Sequence, residues 1–302
     1  MRLQDIAKGG GDRDAGLNVL TDEQLRDLHQ VLLGILDDII AVCRERDLRF
    51  ILIGGSAIGA LRTGTIIPWD DDVDIAMPRG DFEVFCQAVR DRWPEKYAML
   101  HPQDRDNFGR VIPKIRLKGT EYRTILEQDL DQCGVFIDIY TIENVPDNGL
   151  ARLFQGLMAM GLGFCLSCRR LWKGRKWYGR LTGGASFRIK CAIGACLSFA
   201  GYQTWARWTD HWHSRCKNEN SRDVTIPADC RHFFGEIQPR RRLLDTMPVD
   251  LDGRRCYVPK EADGYLREIY GDYMQIPPVE KQERNCYLVY DLGDKAPGER
   301  GE

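Results

Sequence analysis

Between Asn148 and Thr209 the chain contains no aspartate or glutamate, although ten lysines and arginines fall in the same stretch. Elsewhere acids and bases are mixed, and the formal net charge is only −2. A balance so near zero lacks the broad basic field that nucleic-acid binding needs, so no nucleic-acid partner is expected. The N-terminus, MRLQDIAKGGGDRDAG, has no apolar core, which argues against a signal peptide. No run of 18 residues escapes a charged or strongly polar interruption, so no transmembrane helix is expected. The 11 cysteines show no small-scaffold rhythm, and 302 residues with 43% hydrophobic content can bury a core without disulfides. Reduced thiols in a cytoplasmic protein follow as the expectation.

What is present reads as a mixed α/β chain. Thr21, with Gln24 three residues on, reads as a capping box. Leu25, Leu28, Val31, Leu32, Ile35, Ile39 and Val42 then recur at helical spacing through Cys43. Phe50 to Ile53 is a short apolar run that enters a turn at Gly54-Gly55-Ser56, with a helix expected from Ala57 to Arg62. In IIPWDDDVDIAMP, from Ile66 to Pro78, Val73, Ile75 and Met77 alternate with Asp72, Asp74 and Ala76 as in a strand. A helix is expected from Asp81 to Arg92, and strands from Val111 to Leu117, Tyr122 to Leu126 and Val135 to Ile142. By composition, residues 1–20 read as a flexible tail and 21–147 as a globular core of mixed charge. Residues 148–222 read as a basic, apolar insertion, 223–292 as a return to the mixed charge of the core, and 293–302 as a charged tail.

Three carboxylates carry the chemistry. Residues i and i+2 of a strand share a face, so Asp72 and Asp74 converge. Two carboxylates that close raise each other's pKa, and a divalent cation relieves the repulsion. Magnesium, or manganese in its place, suits hard oxygen ligands and keeps substrate phosphates as further ligands. Asp138, set among Phe136, Ile137, Ile139 and Tyr140, is costly to bury unless paired, and it completes the ligand set or serves as a base. Asp70 and Asp71 are read as supporting residues. Gly54, Gly55 and Ser56 open a helix whose N-terminus favours an anion such as a phosphate. Arg62, Lys114 and Arg116 are further candidates for the donor phosphates, and Lys118 shares their alternation.

A Gly-Gly-Ser turn, an Asp-x-Asp strand and a third aspartate on a later strand come in the order shown by nucleotidyltransferase-type proteins. Within that class, the run GGSAIGALRTGTIIPWDDDVDIAMPRGDFEVF resembles the signature of the LicD family, which includes fukutin and fukutin-related protein. GVFIDIY, from Gly134 to Tyr140, is similar to that family's third-aspartate strand. FFGEI, VPKEADGYLREIYGDYM and Ile276-Pro277-Pro278 agree as well. The resemblance implies a mixed sheet with flanking helices and transfer of phosphocholine or a polyol phosphate from a CDP-linked donor. The acceptor it implies is a cell-surface glycan such as lipopolysaccharide or teichoic acid. It also implies that Asp72 and Asp74 hold magnesium on the donor diphosphate, while Asp138 helps hold the metal and accepts the acceptor's proton. One departure stands out: where relatives often carry a histidine after the Pro-Pro run, this chain has Arg284-Asn285-Cys286.

Two other readings compete. One is transfer of a nucleoside monophosphate to a small molecule with release of pyrophosphate, and the other is nucleotide binding without turnover. The acid-free stretch, with apolar segments Leu153 to Cys168 and Cys191 to Ala200 around RRLWKGRKWYGR, suggests peripheral membrane contact through residues 150–200, at the inner face of the membrane. Cys165, Cys168, Cys191 and Cys196 lack a recognised zinc spacing, so zinc is not expected.

Overall fold

A computed structural model describes residues 18–104, 109–124, 127, 130, 133–181, 184–282 and 284–296. The chain is a mixed α/β protein and divides into two compact units. The first comprises Met1–Met99, Lys114–Ile139 and Arg242–Glu302, and the second Leu100–Pro113 and Tyr140–Arg241.

The strands in chain order are β1 (Asn18–Val19), β2 (Ile51–Leu52), β3 (Asp74–Pro78), β4 (Tyr97–Leu100), β5 (Lys114–Leu117), β6 (Glu121–Thr124) and β7 (Phe136–Asn144). They continue with β8 (Asp223–Thr225), β9 (Gln238–Pro239), β10 (Thr246–Leu251), β11 (Arg254–Pro259) and β12 (Cys286–Asp291). The helices are α1 (Asp22–Arg46), α2 (Gly54–Arg62), α3 (Arg79–Arg92), α4 (Gly149–Lys173) and α5 (Arg175–Leu181). After them come α6 (Ala185–Cys196), α7 (Tyr202–His213), α8 (His232–Gly235), α9 (Arg240–Leu244) and α10 (Ala262–Tyr270).

In the first unit, α1 begins as the sequence pattern predicts. The Thr21 hydroxyl accepts from the Gln24 amide at 3.2 Å and the Gln24 side chain accepts from the Thr21 amide at 2.9 Å. Its apolar stripe, from Leu25 through Ile39, is buried. The main sheet runs β2-β3-β7-β5-β4, so β3 lies beside β7. That adjacency brings the acids at the start of β3 toward Asp138 on β7. β5 pairs antiparallel with β7, setting Lys114 opposite Asp138 and Arg116 opposite Phe136.

A separate three-stranded sheet runs β1-β12-β6. Residues 18–20 are therefore not a free tail: Asn18 and Val19 pair with Tyr287 and Cys286, and Leu20 is buried. The β10-β11 hairpin turns at Asp252-Gly253 with φ of 48° and 78°, as a tight two-residue hairpin turn needs. Asp252 also accepts from the Ile66 amide at 2.8 Å and donates its own amide to the Gly64 carbonyl at 2.7 Å. The hairpin thereby fixes the loop that leads into the acidic run.

The second unit is mostly helical. Asn148 caps α4 by accepting from the amides of Leu150 and Ala151, both at 3.0 Å. α4 packs on α6, α7 and α8. Small residues let it approach them: a Cβ at Gly156 would lie 2.2 Å from the Phe234 ring, and one at Gly194 2.2 Å from the Cys168 carbonyl. Against the expectation of no spanning segment, Gly149–Lys173 is long and apolar enough to cross a membrane by length and composition. Its Arg and Lys residues lie near its two ends, leaving the apolar middle Leu153–Cys168.

Candidate functional site

The site lies wholly in the first unit and is built around the first turn of α2. The sequence pattern placed the helix start at Ala57, yet it begins three residues earlier, at Gly54. Gly54 has φ +53°, a left-handed conformation that a side chain disfavours. A Cβ at Gly55 would lie 2.3 Å from Asp70 Oδ2, and one at Gly54 would lie 3.6 Å from Asp74 Oδ2 and 3.5 Å from the Tyr270 hydroxyl. The glycines thus let two carboxylates approach the helix N-terminus, where free N–H groups and the helix dipole favour negative charge. Ser56 adds a tie, its hydroxyl accepting from the Asp74 amide at 2.9 Å.

The acids are packed more tightly than the alternation suggested, and by a different route. β3 starts at Asp74, so Asp72 is not a strand residue but part of the extended approach to it. Asp70, Asp71 and Asp72 each present an oxygen within 4.8 Å of the others. Asp70 and Asp71, read from sequence as supporting residues, therefore stand inside the cluster. Asp72 is its hub. Its pKa is pushed well above the usual carboxylate range by burial first, then by Asp74, Asp70, Asp71 and Asp138 in decreasing order. Asp70 is pushed up to about 6, mainly by burial and then by Asp71. Asp71 is raised by burial but is held by donors: the Tyr122 hydroxyl, and Asn285 Nδ2 at 2.7 Å from Oδ1. His29 Nε2 donates to the Asp70 carbonyl at 2.7 Å.

Asp138 reaches the cluster electrostatically, as its effect on Asp72 shows, but its carboxylate is not one of the three that share the 4.8 Å group. Its partner is the buried Lys114 ammonium opposite it in the β5-β7 pair. Lys114 Nζ also sits 3.4 Å from the Phe136 ring centroid, a cation–π contact in a desolvated setting.

The cations proposed from sequence go to different places. Lys114 and Arg116 share a face as the alternation requires, both lying over Phe136. Arg116, only 2% exposed, is engaged in a buried ion pair with Glu127 and donates to the Gly134 carbonyl at 3.1 Å. It is turned inward, which sets it apart from a phosphate ligand. Lys118 donates to the Pro94 carbonyl at 2.7 Å. Arg62 lies eight residues along α2 from Gly54, roughly 12 Å at the helical rise, and donates to the Tyr273 carbonyl. The two residues that sequence reasoning missed are Tyr122 and Asn285, the donors to Asp71. Asn285 belongs to the Arg284-Asn285-Cys286 segment where relatives often carry a histidine, so that departure marked the right segment. Tyr122, in an ordinary strand pattern, gave no signal. Of the four cysteines weighed for zinc, Cys168 and Cys191 are buried, Cys165 is half-buried and Cys196 is exposed, and they form no metal-holding group among the described residues.

The first unit is a mixed α/β unit that sets a carboxylate cluster against a helix N-terminus. Residues 47–149 match the family described as LicD/FKTN/FKRP, nucleotidyltransferase domain. The chain is also 24% identical over 282 residues to Lipopolysaccharide cholinephosphotransferase LicD of Haemophilus influenzae, covering 86% of this chain and 94% of that protein. Residues 47–149 are thus similar to the nucleotidyltransferase domain of the LicD family.

Proposed function

We propose that this protein is a phosphotransferase that moves phosphocholine from a CDP-activated donor to a hydroxyl of a cell-surface glycan, with magnesium or manganese held at the acidic cluster. The relative that aligns along most of the chain is named for cholinephosphate transfer to lipopolysaccharide. The observation that carries the reading is the Asp70–Asp74 acids packed against the first turn of α2, the Asp70 carboxylate taking the space a Cβ at Gly55 would occupy.

The residues fit a divalent cation. The donor set is all hard oxygen; burial raises the pKa values of Asp70, Asp71 and Asp72, and repulsion from neighbouring carboxylates adds to it at Asp70 and Asp72. Asp72 and Asp74 are assigned to hold the ion with Asp70. Asp71 is spoken for by Tyr122 and Asn285 and steadies the cluster from behind. Bound there, the ion neutralises charge on the donor diphosphate.

The chain's own groups do the rest. The amides of the first turn of α2 receive phosphate oxygens. Ser56 pins the start of β3 to α2, so helix and acids keep one geometry. Lys114 orients Asp138, which accepts the proton of the acceptor hydroxyl as its oxygen bonds to the phosphocholine phosphorus. The bond from that phosphorus to the bridging oxygen breaks, and CMP leaves. Positioning and charge stabilisation account for most of the rate in such transfers.

The test is product analysis on CDP-choline and other CDP-linked donors with magnesium. The reading expects CMP, lost by roughly a hundredfold or more in Asp72→Asn. Pyrophosphate released from a nucleoside triphosphate would instead support nucleotidyl transfer, and tight nucleotide binding without either product would support binding alone.

A further inference from the structure

Helix α4 is inverted relative to a helix of a water-soluble core. Its outward residues are Leu150, Leu153, Phe154, Leu157, Met160 and Phe164, spaced by three and four so that they form one stripe. Leu150 is 80% exposed, Phe154 59%, Leu157 57% and Phe164 47%. The face packed inward holds Gln155, Gly156 and Ala159 among its buried residues. Gln155 Nε2 donates to the His213 carbonyl at 3.0 Å, and Gly156 lies under Phe233 and Phe234. In the N-terminal half of the helix small and polar residues face protein and bulky apolar ones face out, whereas Leu166 further along is buried against Trp205 and Ala206. Leaving such a row in water sacrifices the burial that ordinarily drives folding.

Charge identifies what covers the stripe. The segment from Asn148 to Thr209 has ten lysines and arginines and no acid. Near the C-terminal end of α4, Lys173, Arg175 and Lys176 are exposed, and Arg175 lies 3.9 Å from the centroid of the Trp172 ring. In the same unit Ile189, Phe199 and Trp208 are also exposed. An apolar row bordered by cations and aromatics, whose nearby carboxylates Asp223 and Asp147 pair with Arg152 and Arg222, matches the boundary of an anionic bilayer. A second copy of this chain would bring the same cations against each other.

We infer that the outward face of α4 docks peripherally on an anionic lipid surface, lying in the interface and not crossing it. The inward face argues for this orientation, because Gln155 is bonded within the protein and α7 packs along the helix. The docking does not depend on which donor the catalytic unit uses.

Flotation of the full chain with vesicles of phosphatidylglycerol and phosphatidylethanolamine tests it, beside vesicles of phosphatidylcholine alone. Wild type is expected to float with the anionic vesicles and to remain largely unbound with the neutral ones. Leu153→Glu with Leu157→Glu is expected to lower the bound fraction by roughly tenfold or more. Both positions are exposed, so the variant should keep the wild-type circular dichroism spectrum and melting temperature. If it instead misfolds, Lys173→Glu with Lys176→Glu serves in its place, with the same expected loss. Absence of wild-type flotation, or equal flotation of folded variants, overturns the inference. So does a wild-type dimer in light scattering that Leu153→Glu with Leu157→Glu converts to monomer without changing flotation, because the stripe then binds another copy.

Discussion

A methyl group at Gly55 has nowhere to go but onto the Asp70 carboxylate, 2.3 Å away. The obstacle is the end of a side chain and not backbone, so Gly55→Ala should fold while displacing Asp70 from the cluster. The expected outcome is a melting temperature close to wild type and at least a tenfold fall in kcat/KM, read by CMP release. Asp72 makes the complementary case. A carboxylate crowded by four others destabilises the metal-free fold, so Asp72→Asn should raise the apo melting temperature while abolishing turnover. Lower stability of the variant would contradict the account.

The sign of the pH dependence follows from the same crowding. The folded pKa of Asp70, about 6, lies above its ordinary value, so the folded state holds a proton that the unfolded chain has released. Stability of the metal-free protein should therefore increase as pH falls through about 6, and saturating magnesium should remove that increase. Thermal melts at pH 7.5 and 5.5, with and without the ion, measure this. At this scale Asp72, Asp74, Gly54 and Gly55 were legible because spacing and residue type alone mark them. The place of Asp70 was not. Three consecutive aspartates cannot all follow strand alternation, and contacts distant in sequence hold them: Asp252 at Ile66, His29 at the Asp70 carbonyl, and Tyr122 and Asn285 at Asp71.

Among elements, amphipathic periodicity made α1 legible down to its cap, since a helix with one buried stripe and a Thr-Gln box has few alternatives. The pairing of β5 with β7 was not legible, because register depends on partners far away in sequence. That register sets Lys114 against Asp138 and Arg116 opposite Phe136, and Arg116 finds its acid in Glu127, outside the strand pair. Removing one partner of a buried pair leaves an uncompensated charge, so Glu127→Ala should cost about 3–5 kcal/mol, seen as a lower denaturation midpoint. Arg116→Met with Glu127→Met should recover most of that loss and leave KM for the donor near wild type. A large rise in KM in the folded double variant would return Arg116 to the list of donor ligands.

On the scale of the whole molecule, the proposed site is assembled in one unit, from Met1–Met99, Lys114–Ile139 and Arg242–Glu302, segments far apart in sequence. The other unit holds the acid-free stretch, whose composition was plain from the sequence. What composition could not show is the direction in which α4 turns its leucines and phenylalanines, since an apolar helix reads the same whether it faces protein or lipid. The C-terminal segment illustrates a similar limit: Asn285 sits more than two hundred residues from Asp71 yet donates to it, and Tyr273 receives Arg62 in the same way.

The central claim is that the Asp70–Asp74 acids and the first turn of α2 together hold one cation and the donor diphosphate. Titration with manganese in the presence of CDP, followed by electron paramagnetic resonance, reads this directly as loss of the free-ion signal. The account predicts one tightly bound ion per chain in wild type and none in Asp72→Asn, at a pH where both are folded. Undiminished binding in the variant, or no bound ion in wild type, would contradict it.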